Sequence, residues 1–257
     1  MCLIVFAWQV VPAVPLIAAA NRDEYYAREA APAAPWPDQP RIYAGRDLKA
    51  GGSWMGISQA GNDAGADAGA AAGGASPRFA AITNIRAPQE HKADAPSRGQ
   101  LVSDFLAGSL SPAEYIDHIR EGAHAYNGFN LVIGDRDTLI WYSNKGDGDP
   151  RNGQPLTPGI YGLSNATLDS PWPKVLKTKA QFASLLCLGA PDDAYFEMLA
   201  DTTRAPDLRL PETGVPIEVE RLLSAVRIES PGYGTRSSTV VKLYADAPAV
   251  LHEMLIQ

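Results

Sequence analysis

The chain has 257 residues, with 22 Lys or Arg against 29 Asp or Glu for a formal charge of −7, and 46% of its side chains are hydrophobic. This describes a soluble globular protein and excludes a basic nucleic-acid binder. Two cysteines, Cys2 and Cys187, are too few for a disulfide framework or a cysteine-built zinc site, which points to a reducing cytoplasm.

At this length one domain, residues 1–257, can bury a core without covalent staples. The first twenty residues are nearly all apolar, but no Lys or Arg precedes Arg22, which a signal peptide would require. Pro12 and Pro15 would break a membrane-length helix in its middle. The stretch therefore reads as a hairpin, 2–9 and 16–22, and no integral membrane segment is expected. Residues 27–40 are proline-rich and read as an ordered extended loop or surface excursion. A short strand at 54–59 follows Gly51, Gly52 and Ser53. Between 61 and 77, twelve of seventeen residues are Gly or Ala, too little buried surface to offset ordering, so a flexible insertion is expected.

A strand at 79–85 precedes two helices. The first, 98–106, carries an apolar stripe and takes Ser97 as its cap. The second, 112–120, opens on a capping box of Ser111 and Glu114. A hairpin, 127–134 and 138–143, turns at 135–137, and a strand follows at 160–165. Helices at 172–188, 192–200 and 217–226 lead to closing strands at 235–244 and 249–256. Strands first, helices in the middle and strands again suit an α+β architecture rather than a doubly wound sheet.

Cys2 is the first chemical candidate. Removal of Met1 would leave an α-amine with a pKa near 8 on the residue that carries a thiol with a pKa near 8.5, placing base and nucleophile together. The alternative is a small apolar residue opening a strand. Asn21, Arg22, Asp23 and Glu24 end the hairpin, which brings Arg22 or Asp23 near the start of the first strand; a solvated strand end is the plain alternative. Asn84 and Asn165 each end a short apolar strand, where an amide can donate to an oxyanion or simply form a turn. Arg236 enters a strand among Thr235, Ser237, Ser238 and Thr239, with room to bind a substrate carboxylate or hold Asp23.

Other candidates are weaker. Residues 145–153 resemble a calcium loop, but Arg151 stands where a ligand is needed, so a turn is expected. His91, His118, His124 and His252 form no metal or covalent-haem motif, and no metal site is expected. Cys187 reads as core packing. Trp36, Trp54, Trp141 and Trp172 divide between core and pocket lining.

Met1-Cys2, Asn21 to Glu24, Gly51 to Gly56, Thr83-Asn84, Ser97-Arg98-Gly99, Tyr126 to Leu131, Leu163-Ser164-Asn165, Pro171 to Val175 and Tyr233 to Thr239 together resemble the NRDE family, that of the transport and Golgi organisation protein two. Nine blocks agree in order over nearly the whole chain, and residues 61–77 depart from the pattern as an insertion. The resemblance implies an N-terminal-nucleophile hydrolase-like fold, a four-layer αββα sandwich of two antiparallel sheets. It is similar to the cysteine group that includes bile-salt hydrolase and penicillin V acylase. On that likeness Cys2, Asp23, Asn84, Asn165 and Arg236 are the catalytic set, with Arg22 and Trp54 binding substrate. The cysteine hydrolases carry an arginine three residues before the aspartate; Ala20 stands there, and Arg22 is its candidate replacement. The family also implies intracellular haem movement and lipid or acyl-CoA metabolism. The expectation is thus a cytoplasmic protein hydrolysing a small amide through Cys2 without a cofactor, or alternatively a non-catalytic carrier of haem or acyl lipid. Its oligomeric state is not legible.

Overall fold

The computed structural model describes residues 2–58 and 76–256, with Cys2 by its backbone alone; residues 61–75 of the expected insertion lie outside the described residues. In chain order the elements are β1 (Cys2–Val11), β2 (Val14–Tyr25), β3 (Ala30–Pro35), β4 (Ile42–Asp47), β5 (Met55–Ser58), β6 (Arg78–Asn84), α1 (Gly99–Ala107), α2 (Pro112–Arg120), β7 (Phe129–Gly134), β8 (Leu139–Ser143), β9 (Gln154–Pro155), β10 (Gly159–Leu163), α3 (Pro173–Leu188), α4 (Asp192–Leu199), α5 (Ile217–Leu223), β11 (Glu229–Ser230), β12 (Tyr233–Leu243) and β13 (Val250–Leu255). One antiparallel sheet runs β10-β1-β2-β12-β11, with β13 also on β12; the other runs β3-β4-β5-β6-β7-β8-β9. The α+β expectation holds.

The continuous apolar run of the first hairpin follows from its position. Ile4, Phe6 and Trp8 face the second sheet and pack with Met55, Phe79 and Trp141. Leu3, Val5 and Ala7 face the other way, against Val175 and Phe182 of α3 and Met198 of α4. A strand covered on both faces has no reason to alternate with polar residues. On the far face of the second sheet, Leu101 and Phe105 of α1 and Ile116 of α2 cover Ala80, Leu131 and Ile140. Among the described residues no helix is long and apolar enough to cross a membrane.

Three local expectations are corrected. The stretch 27–40 contains a strand, β3, which among the described residues pairs only with β4; Pro32 and Pro35 lack an N–H, and an edge strand tolerates that. Ser97 does not cap α1: Arg98 holds the cap position with no side-chain bond to the helix. Cys187 is exposed, because α3 buries the stripe Lys174, Val175, Thr178 and Phe182 and residue 187 falls on the opposite side of the helix. The capping box at Ser111 and Glu114 forms as expected, with both reciprocal bonds. Residues 145–153 form turns held by Arg151, which pairs with Asp149 and Asp169.

Candidate active-site cleft

A cleft of about 400 Å³ opens where the polar end of β2 meets the second sheet, lined by Arg22, Asp23, Glu24, Trp54, Asn84 and Arg98 among others. Asn21, Arg22 and Asp23 are 0%, 6% and 1% exposed, so the strand end is not solvated. Charged residues almost never bury themselves this deeply without partners. Cys2 pairs with Arg22 in the antiparallel register, which sets the backbone of residue 2 beside this run. Its side chain lies outside the described residues.

Side chains alternate along β2, and the three residues separate accordingly. The Arg22 guanidinium lies over the Trp54 ring, 4.2 Å from its centroid, with Asp47 Oδ2 4.0 Å from Nη2. The edge of the Trp54 ring in turn lies against Gly45, where a Cβ would come within 2.2 Å of Cζ2. Asp47 divides its oxygens: Oδ1 accepts from the Lys49 and Ala50 amides, and Oδ2 accepts from Arg28 Nε at 2.6 Å. The Trp54 ring and the Asp47 charge therefore hold the Arg22 guanidinium at this end of the cleft.

Asn21 and Asp23 meet other partners. Asn21 Nδ2 donates to the Leu199 and Val226 carbonyls, and its Oδ1 accepts from Ser238; it ties the sheet to the helix ends and is structural. Asp23 Oδ1 accepts from the Thr235 hydroxyl at 2.6 Å, and the Ile228 amide donates to that same hydroxyl. Burial pushes the Asp23 carboxyl up, while the Lys174 cation and the Thr235 bond pull it back.

Arg236 does not hold Asp23. The register of β12 against β2 shifts between Thr235 and Ser237, making Arg236 the extra residue of a bulge, and bulges re-aim side chains. Its Nη1 donates to the carbonyls of Tyr25, Tyr26 and Arg28. It braces the chain that leaves β2.

Asn84 and Asn165 are brought together, in unequal roles. Asn165 Nδ2 donates to the Asn84 carbonyl at 2.9 Å, and the Arg86 amide donates back to the Asn165 carbonyl. Thr83 donates to the Ser164 carbonyl, and Asn130 donates to Thr83 while accepting from Trp141. These bonds join β6 to the end of β10, across the two sheets. Asn84 lines the cleft, whereas Asn165 lines a separate hollow beyond it.

Sequence reasoning missed Asp47, Arg98, Gly45 and Asn130. Asp47 had a signal, an acidic residue before the turn at Lys49 to Gly51; Gly45 had none, since its value lies in a ring brought from nine residues away. Arg98, misplaced by the Ser97 cap, donates to the Gly128 carbonyl. The motif glycines Gly52 and Gly99 allow two backbones to touch: a Cβ on Gly52 would stand 2.3 Å from the Gly99 carbonyl carbon, and the Ser53 amide donates to Gly99. Overall the cleft is cation-rich, with five Lys or Arg against three carboxylates. Among the described residues no group of three His, Cys, Asp or Glu is placed to hold a metal ion.

The family model described as Transport and Golgi organisation 2 matches residues 1–256. The human Transport and Golgi organization protein 2 homolog is 34% identical over 98% of this chain and 92% of its own length. The mouse homolog is 32% identical over the same shares, and the Drosophila melanogaster protein 29% identical over 94% and 87%. A match along the whole cleft-bearing chain, from the hairpin to the closing strands, means that this protein belongs to the Transport and Golgi organisation 2 family.

Proposed function

We propose that the cleft is the site of a cysteine N-terminal-nucleophile amidohydrolase acting on a small acyl compound. The observation that carries this reading is the register of the first hairpin, which seats residue 2 opposite Arg22, within a cleft-lining run whose far wall carries Asn84. Helices on the outer face of each of two packed antiparallel sheets, the order expected of that fold, support it. In this mechanism the α-amine of Cys2 takes the thiol proton, and the thiolate attacks the amide carbonyl carbon to form a C–S bond. The Asn84 amide donates to the resulting oxyanion. The ammonium returns its proton to the departing amine, and water, deprotonated by the same α-amine, cleaves the thioester. Asn165 acts through Asn84, and Arg236 by bracing the chain after Asp23. The surplus of cations suits a substrate that carries a carboxylate or another anion, which a guanidinium such as that of Arg22 can meet with paired hydrogen bonds.

Intact mass establishes whether Met1 is removed. Because Cys187 is exposed, labelling is done in a Cys187→Ser background: substoichiometric iodoacetamide at pH 7 is expected to modify Cys2, and Cys2→Ala is expected to abolish release of amine from a panel of N-acyl amino acids. A Cys2→Ala protein that matches its parent against the whole panel refutes the enzyme reading.

A second reading, a carrier for haem, rests on His91, which lines the same cleft among cations able to meet propionates. A Soret shift at micromolar haem that His91→Ala removes would support it; an unchanged spectrum would sink it.

A further inference from the structure

Behind the helices that cover the first sheet lies a groove of about 690 Å³ that shares no lining residue with the cleft. It runs between the start of α3, the segment after α4 and the chain that leaves α5. This is the volume of pockets that bury small organic ligands. Four ionisable side chains line it, Lys174, Lys177, Arg204 and Arg209, and all four are cationic. In a protein of formal charge −7, a concave surface with no carboxylate among its described lining residues is a marked local reversal of sign.

The cations differ in state. Lys177 pairs with Asp201 at the rim. Lys174 is buried, 3% exposed. Arg204 and Arg209 are exposed, and among the described residues neither has a carboxylate within ion-pairing distance. The walls between them are apolar, formed by Pro171, Leu176, Pro206 and Val226. Leu176 stays 54% exposed, so the groove presents hydrophobic surface to solvent next to charge. The first turn of α3 also borders it: Pro173 opens the helix and Trp172 supplies no side-chain cap, which leaves the positive end of a 16-residue helix directed at this region.

We propose that this groove is a second ligand site, for small amphipathic organic anions with a compact apolar body and one carboxylate, sulfonate or phosphate. The apolar part lies on Pro171, Leu176 and Pro206, and the anion is met by Arg204 and Arg209. Lys174 is the groove residue whose charge is felt by Asp23 in the cleft, so an occupied groove lies one side chain away from the cleft's buried carboxylate.

The test uses the full chain and 1-anilinonaphthalene-8-sulfonate, a naphthalene body with one sulfonate, followed by fluorescence and by calorimetry for stoichiometry. Saturable one-to-one binding is expected, weakened at least about tenfold by Arg204→Glu/Arg209→Glu, as loss of charge-assisted bonds implies. The milder Arg204→Gln/Arg209→Gln protein should fall between. Decanoate should displace the dye where decanol does not, and neutral N-phenyl-1-naphthylamine should bind at least about tenfold more weakly. Lys49→Glu/Lys92→Glu, in the cleft, should leave dye binding unchanged. Absence of saturable binding, equal binding of the neutral dye, or loss with the cleft variant in place of the groove variant would each overturn the proposal. Co-sedimentation with phosphatidylserine vesicles without binding of free dye would overturn it too, since the surface would then read a membrane.

Discussion

Replacing Glu220 removes the counter-ion of a buried arginine two residues beyond Asn84. Arg86 Nη1 donates to Glu220 Oε2 at 2.6 Å, with the two side chains 5% and 3% exposed. Glu220 Oε1 meanwhile accepts from the amide and hydroxyl of Thr213, and Arg86 lies over the Trp172 ring. Burial pushes Arg86 below its ordinary range, and Glu220 pulls it back. Unit charges about 4 Å apart at an effective dielectric of about 20 attract by about 4 kcal/mol, and removing one partner of a buried pair costs about 3–5 kcal/mol. Glu220→Gln keeps an acceptor for Thr213 while removing the charge, so we expect it to cost about 2–4 kcal/mol, against about 3–5 for Glu220→Ala. The double variant Arg86→Met/Glu220→Leu removes both charges and should lie within about 2 kcal/mol of the parent, since an apolar pair of similar volume can replace a buried ion pair. Urea unfolding followed by far-UV circular dichroism measures all four proteins. A Glu220→Gln cost below about 1 kcal/mol would mean that water solvates Arg86 in the folded state, and the reasoning would fail.

Asp192 joins the start of α4 to Lys242 on β12 and His252 on β13. Burial pushes its carboxyl up, but bonds from Lys242 and His252 hold it below the usual range. Burial likewise pushes Lys242 down, and the bond to Asp192 outweighs it to raise the ammonium. The carboxylate's contribution is present above its unfolded value of about 3.9 and is lost as pH falls through the lower folded value; the ammonium's is present below about 10.4 and is lost as pH rises through the raised one. Asp192→Asn should therefore cost about 1–2 kcal/mol at pH 7 in chemical denaturation, a cost that shrinks as pH falls below about 3.9; a pH-independent difference would contradict the pairing. Gly52→Ala should destabilise by about 2 kcal/mol or more through overpacking, because the clash is with the Gly99 backbone, and a fall in Tm within 1 °C of the parent would contradict the close approach. Arg236→Met should raise amide exchange at residues 25–28 about tenfold, for the loss of bonds to three carbonyls, with global Tm little changed; unaltered exchange there would deny it the bracing role.

Much of the architecture was legible because local physics decided it. Ser111, Pro112 and Glu114 start a helix through contacts within four residues, and the turn at 135–137 sets a hairpin whose partners are adjacent in sequence. The proline-rich β3 was not legible, since edge position, which makes Pro32 and Pro35 tolerable, is a property of the assembled sheet. Cys187 misled for a related reason: four apolar residues in a row exceed one face of a helix, and which of them is covered depends on where α3 lies.

At the site, sequence alone determined which residues end the apolar strands, namely Arg22, Asp23 and Asn84, because a polar run at the end of a buried strand is visible without coordinates. Only the tertiary structure decided their roles. A bulge of one residue turned Arg236 from Asp23 to the carbonyls of Tyr25, Tyr26 and Arg28. A bond between the ends of β6 and β10 set Asn165 to hold Asn84. Gly45 became the space for the edge of Trp54. Each is a contact between segments far apart in the chain or the sheet register, where side-chain direction follows from how the strands pair, and a linear sequence carries no direct record of that pairing.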